Sequence, residues 1–347
     1  MRSRNAVIAV AVLLAAGPLL AETTRTLRAE LPAGATEAFV VENLAGHMTV
    51  TAGDDDRVVA VATVHAEDDA LASTMRFEQV RGENGTRTLR VIYPVGEYRT
   101  FRYASSGSSE VRYDGRRVRV TSWRGVLLFA DVEVKVPRRV VEATFRNFVG
   151  NLSAERVEGK ILLDAASGDV EASELSGRVK LDTGSGSARA EGGKGSLSCD
   201  TGSGDVVVTR FDGDDVLCDT GSGGVEVRGV RASRLKADTG SGPVTVVDAD
   251  IEEFGGDTGS GDIRLTITGG RLRQVDVNVG SGDVTLRLPA DTGFELLADQ
   301  GSGDLDCGFS DAQAVVEDRE VVGYRRGDRR VRITADTGSG SVSISPR

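Results

Sequence analysis

Apolar residues recur in the second half of the chain in columns counted from a repeated Asp. Three residues ahead of it stand Ile161, Val179, Leu197, Val216, Leu235, Phe254, Val275, Leu296 and Ile333. One ahead stand Leu163, Leu181, Cys199, Cys218, Ala237, Gly256, Val277, Ala298 and Ala335. Six after it come Val170, Ala188, Val206, Val225, Val244, Ile263, Val284, Leu305 and Val342. Eight after it come Ala172, Ala190, Val208, Val227, Val246, Leu265, Leu286, Cys307 and Ile344. The positions between are mostly Lys, Arg, Glu, Thr and Ser. Alternation with a period of two is the mark of a strand with one face buried, so each repeat predicts two short strands.

Between the two strands sits the phrase Asp-Thr-Gly-Ser-Gly-x-Val, with copies beginning at Asp164, Asp182, Asp200, Asp219, Asp238, Asp257, Asn278, Asp299 and Asp336. A period near twenty residues marks a repeat architecture, whose units bury their apolar faces only by stacking. Identical phrases favour like stacked on like, with equivalent strands parallel, over a series of hairpins. Only one corner per repeat is marked by glycine, which favours a right-handed parallel β-helix (a β-solenoid) of 18–21 residues per coil over a six-residue left-handed repeat. The glycines predict a corner with positive φ, and the complete Ser column (Ser167 to Ser339) predicts a ladder of hydroxyls closing it.

The part from Glu22 to Val141 is strand-rich without regular repeats. Phe39–Val41, Met48–Val50, Val58–Val64, Thr88–Tyr93, Val118–Thr121 and Asp131–Val136 read as strands, separated by polar turns such as Gly53–Asp56 and Gly82–Gly85. Glu67–Met75 reads as one short helix. The phrases beginning at Asn43 and Asn147 resemble the repeat with one residue fewer and predict early coils, with residues 51–140 as an elaboration between them. Arg329–Thr334 echoes Arg116–Thr121, and both read as arginine-rich hairpins projecting from the stack. The resulting organisation is a signal peptide at 1–21, a strand-rich region at 22–141, and solenoid repeats at 142–347 with a hairpin insertion around 311–332.

Composition and charge narrow the function. The 44 glycines are periodic, which sets aside disorder, and a net charge of -11 makes nucleic acid a poor partner. Arg2 and Arg4, the apolar run Ala6–Ala16 and Leu19-Leu20-Ala21 read as an export signal with cleavage after Ala21. Removal leaves an acidic mature chain with no integral membrane span, periplasmic or extracellular. Cys199, Cys218 and Cys307 fall in apolar columns. They read as buried small hydrophobes, with a Cys199–Cys218 bridge between adjacent coils as the alternative.

Asp-Thr-Gly is also an aspartic-protease signature, but that chemistry needs two carboxylates facing across a cleft, and here the Asp residues share one column. The serines have no His or Lys beside them to activate a nucleophile; the chain's histidines are His47 and His65. Gly-x-Gly-x-Asp resembles calcium-binding nonapeptide repeats only in part. Two acidic columns nevertheless exist: the leading Asp, and Asp169, Asp205, Asp262, Asp283 and Asp304. Capping of the turn backbone is the favoured reading and divalent-cation binding the alternative. Arg326-Gly-Asp328 matches an integrin-binding tripeptide and reads as a chance match on a polar turn. No catalytic, cofactor-binding or metal residue is assigned.

The repeated Thr-Gly-Ser-Gly-Asp-Val phrase behind a signal peptide, with Val132–Pro137 leading into the first coils, resembles the bacterial putative-adhesin family of β-strand-repeat domains of unknown function. The resemblance covers residues 37–347 and implies a β-solenoid, with no site residues to transfer. It makes a non-enzymatic scaffold binding an envelope polymer, a glycan or a protein the leading expectation. A self-assembling structural solenoid comes second and a carbohydrate-active β-helix enzyme third; the short loops from Asp164 to Asp299 give an enzyme no groove walls.

Overall fold

The computed structural model describes residues 22–31, 37–81, 86–104, 107–299 and 301–347. The export signal at 1–21 and the Gly82–Gly85 turn lie outside these. The fold is an all-β solenoid, and its chain divides into two compact units, Met1–Ser185 and Gly186–Arg347.

In the second unit the stack is regular. The strand Lys194–Thr201 pairs in parallel with Asp212–Thr220, then come Arg231–Thr239, Val244–Thr258 and Gln274–Val279. Equivalent residues lie in register, so Leu197, Val216, Leu235, Phe254 and Val275 pile up inside, each at most 2% exposed. On the opposing sheet Val206, Val225, Val244, Ile263 and Val284 do the same, which is the aliphatic shaft the alternation predicts. Phe254 is the large member of its row. It fits because Gly256 beside it has no side chain: a Cβ there would come within 2.9 Å of the Phe254 ring.

The top of this unit departs from a simple climb. Val331–Thr337 pairs in parallel with both Gln274–Val279 and Phe294–Asp299, and Val342–Pro346 pairs with both Val284–Leu288 and Leu305–Cys307. The final coil therefore lies between two coils that precede it in sequence. The Arg329–Thr334 segment, expected in a projecting hairpin, enters the stack from Val331 onward, with Val331, Ile333 and Ala335 buried. The actual hairpin is Gln313–Glu317 with Glu320–Arg326, laid antiparallel on Phe294–Asp299.

The first unit uses the same principle with antiparallel additions. Phe39–Ala45 pairs in parallel with Arg139–Val149, and Met48–Gly53 pairs with both Val126–Pro137 and Leu152–Glu155. The outermost strands are antiparallel: Arg76–Arg81 on Arg87–Ile92, and Thr23–Leu31 on Val58–Ala66. The short helix is Asp69–Thr74, capped by the Asp68 carboxylate, which accepts the Leu71 N–H at 2.7 Å. A small third sheet joins Ser108–Tyr113, Arg116–Thr121, Thr100–Arg102 and the start of Val126–Pro137.

Candidate functional site

The repeated corner is a built device, and threonine operates it. Thr201, Thr220, Thr239 and Thr258 are buried, and each Oγ1 donates to the carbonyl of the second glycine in the coil beneath, for example Thr220 to Gly204 O and Thr239 to Gly223 O, both at 2.7 Å. The same hydroxyl accepts the N–H of its own second glycine, as Gly242 N does to Thr239 at 3.1 Å. The serines expected to form this ladder are exposed from Ser185 to Ser339. The reason for glycine differs along the stack. At Gly46, Gly150 and Gly168 the φ is positive, as expected, between +116° and +135°. At Gly204, Gly223, Gly242 and Gly261 it lies outside the left-handed region, and a Cβ would lie 1.9–2.0 Å from the carbonyl oxygen of the glycine below. Stacked corners come too close for any side chain.

The leading carboxylates stand outside this corner in one line. Asp200, Asp219, Asp238 and Asp257 are in register, followed by Asn278, Asp336 and Asp299. Partial burial, with Asp200 and Asp238 alongside, raises the Asp219 carboxyl above its ordinary range. Relief is local: Lys236 Nζ lies 2.5 Å from Asp238, and Asn278 Nδ2 donates to Asp257 at 3.2 Å. The second acidic column caps backbone. Asp205 accepts the Gly224 N–H at 2.9 Å, Asp262 that of Asp283 at 3.0 Å, and Asp283 that of Ser341 at 2.9 Å. Among the described residues no three His, Cys, Asp or Glu side chains converge on a metal position.

Gly255 opens a recess in this face, because its column carries Leu217, Lys236 and Asp276 in neighbouring coils. The recess has a volume of about 690 Å³, with Lys236, Asp238, Gly255, Asp257, Asp276 and Asn278 on its walls. The other sequence candidates are inert by comparison. Cys199, Cys218 and Cys307 are free thiols, the first two buried; burial pushes Cys218 up to about 12. Arg326 of the Arg-Gly-Asp tripeptide is tied to Asp311 at 2.6 Å and to Thr292 O, and lies over the Phe309 ring.

Two polar clusters in the first unit were not legible as motifs. Asn43 and Asn147, both fully buried, occupy the column that later holds threonine. They bond each other at 3.1 Å and the carbonyls of Ala45, Ala130, Gly46 and Asn151, with Tyr93 Oη donating to Asn43. The column outside them alternates in sign: Arg90, Glu42, Arg146 and Asp164 are in register and joined by ion pairs of 2.7–3.2 Å. His65 stacks on Phe129, with Nδ1 2.5 Å from Glu22 and Nε2 3.3 Å from Asp131, whose other oxygen accepts the His47 N–H.

Residues 129–345 match the model of the Toastrack DUF4097 family, well over half of the chain. The chain belongs to this family. Comparison with curated proteins gives no match. Among solved structures, a "putative cell adhesion protein" of Clostridium sporogenes aligns over 94% of this chain and 100% of its own at 11% identity, TM-score 0.23. A "putative lipid binding protein" of Parabacteroides distasonis aligns over 92% and 96% at 12% identity, TM-score 0.41. A "putative adhesin" of Bacteroides fragilis aligns over 92% and 97% at 10% identity, TM-score 0.34. Likenesses this distant carry no argument about what the Toastrack chain binds. Among the described residues no helix is long and apolar enough to cross a membrane.

Proposed function

We propose that this Toastrack chain is an exported, non-enzymatic solenoid scaffold that binds an envelope polymer, a glycan or a protein in the manner of an adhesin. The observation that carries the reading is the outward face of the second unit. Its polar side chains stand in register from coil to coil on an aliphatic core, and Gly255 cuts a recess of about 690 Å³ into them. Such rows repeat at the strand spacing of about 4.8 Å and are fixed before any ligand arrives. A periodic polymer meeting them forms many contacts at little ordering cost.

Retention of the mature chain, beginning at Glu22, on a glycan array and on envelope fractions tests this. Binding to at least one is the expected result; a chain retained by none refutes the scaffold reading. The alternative of end-to-end assembly runs against the antiparallel strands Arg76–Arg81, Thr23–Leu31 and Gln313–Glu317, which end three of the sheet edges; among the described residues the three-residue strand Leu305–Cys307 is the parallel edge left, and it is short. Light scattering is expected to give a monomer.

A further inference from the structure

We infer that the small sheet of the first unit is a binding site for acidic polysaccharide, read by Trp123 and a row of arginines. This deepens the scaffold reading and rests on it. The site lies in residues 100–104 and 107–127, ahead of the part that matches the family at 129–345, so it belongs to this chain's own elaboration.

Pairing decides which side chains share a face. Arg112 stands opposite Arg117, Glu110 opposite Arg119, and Arg119 opposite Thr100. Arg102 stands opposite both Thr121 and Leu127. The alternate residues Val111, Tyr113, Val118, Val120 and Phe101 are buried on the inner face. The outer face thus gathers Arg102, Arg112, Arg117 and Arg119 against a single acid, Glu110, which pairs with both Arg117 and Arg119. Arg112 enters no ion pair among the described residues, and the Nε of Arg102 is buried without an acceptor. In a chain of net charge -11 this face is a local reversal of sign.

The turn after Arg119 supplies the aromatic. Trp123 is 63% exposed, the most exposed of the large apolar side chains among the described residues. Its turn is held: Thr121 Oγ1 accepts the Arg124 N–H and donates to the Arg124 carbonyl, both at 2.8 Å. Gly125 closes it at φ +93°, where a Cβ would come within 2.3 Å of Thr100 O. Trp123 follows the end of the strand that carries Arg117 and Arg119, with Arg112 opposite Arg117 further along the same hairpin. An exposed indole at one end of a row of arginines suits an extended ligand having both apolar ring faces and repeated anionic substituents. A uronic-acid polymer has both. The C–H face of the sugar packs on the electron-rich indole face, and its carboxylates take bidentate bonds from arginine. Ser108 and Thr100 stand on the same face, opposite Thr121 and Arg119. A bilayer requires more apolar area than one indole offers, and single-stranded nucleic acid requires several stacking rings and a basic groove.

Trp123 is the chain's single tryptophan, so its emission reports on this site directly. Titrating the mature chain with polygalacturonate at low salt is expected to shift the emission to the blue and shield it from acrylamide. Neutral dextran is expected to do neither, and 0.5 M salt to weaken binding at least tenfold by screening, about that order for a few released counterions. Arg112→Ala/Arg117→Ala, at surface positions, is expected to keep its melting temperature and lose about tenfold or more in affinity; one tenfold step is about 1.4 kcal/mol. Trp123→Ala is followed by calorimetry with the same expectation. Unchanged emission with polygalacturonate, equal binding by the double variant, or a response only to phosphatidylglycerol vesicles or to oligonucleotide overturns the proposal. If the chain still captures envelope polymer with the double variant unimpaired, this site falls and the scaffold stands; if it captures nothing, both fall.

Discussion

Gly242 shows how the corner is decided at the scale of one residue. Its Cβ would sit 2.0 Å from Gly223 O, a backbone atom held in the coil below. Gly242→Ala is therefore expected to cost about 3 kcal/mol through forced separation of two coils, seen in urea unfolding. Gly255 is the control, since its Cβ would meet nothing nearer than Lys236 Cγ at 3.6 Å. Gly255→Ala is expected to change stability by no more than about 0.5 kcal/mol, and equal effects for the two would contradict the close-stacking account. The same reasoning covers the thiols. Burial raises Cys199 and Cys218, the latter to about 12, so little thiolate exists at neutral pH. Neither is expected to react with Ellman's reagent until the chain unfolds, and prompt release of three equivalents from native protein would be inconsistent with their place in the core.

At the scale of the element, His65 links three strands. It lies on Val58–Ala66, faces Glu22 just ahead of Thr23–Leu31 and Asp131 on Val126–Pro137, and stacks on Phe129, against which Tyr103 packs; the His47 N–H donates to the same Asp131. The Asp131 carboxylate, then Glu22, raise the imidazole above its usual 6.5 against the opposing pull of burial. A raised folded value means the contribution is complete below pH 6.5 and fades as the pH rises through the folded value. His65→Gln is thus expected to lower the melting temperature at pH 6, by an ion pair worth about 1 kcal/mol, and to approach wild type by pH 9. A gap independent of pH would mean that His65 acts by stacking on Phe129 alone. Elements of this kind mark the limit of what the chain discloses by pattern. Period-two columns are legible because alternation is local and each inward residue needs only its neighbours in sequence. The column assignments of Asn43 and Asn147, and the alternating Arg90–Glu42–Arg146–Asp164 line, were hidden because a shortened phrase shifts which residue faces inward. The role of threonine over serine was hidden too, since only the stack shows which hydroxyl reaches a carbonyl.

Coil order is a property of the whole molecule, and no pattern in the sequence encodes it. Inward residues at equivalent positions are interchangeable, so Val331–Thr337 fits as well between two coils as beyond the last. The structure places it between Gln274–Val279 and Phe294–Asp299, and the corner glycines agree: Gly340 closes on Gly282, and Gly303 on Gly340. The coil carrying Leu296 and Leu305 therefore rests on residues that follow it in the chain. Ending the chain after Arg326 is expected to remove more than its own length. Amide hydrogen exchange should show loss of protection across Phe294–Asp299 and Leu305–Cys307 as well, while Val244–Thr258 stays protected. Replacing the tip of the antiparallel hairpin, residues 315–322, by a short Gly-Ser turn is the comparison. It leaves the inserted coil in place and is expected to spare Phe294–Asp299. Continued protection of that strand in the truncated chain would show that it is held by Glu320–Arg326 or the core beneath, and that the inserted coil is an addition to a stack already complete. The dependence also fixes an order of events: contacts of long sequence separation must form before the preceding coil is secure, which slows the last step of folding. A chain built in this way closes its stack only once Val331–Thr337 and Val342–Pro346 have found their places.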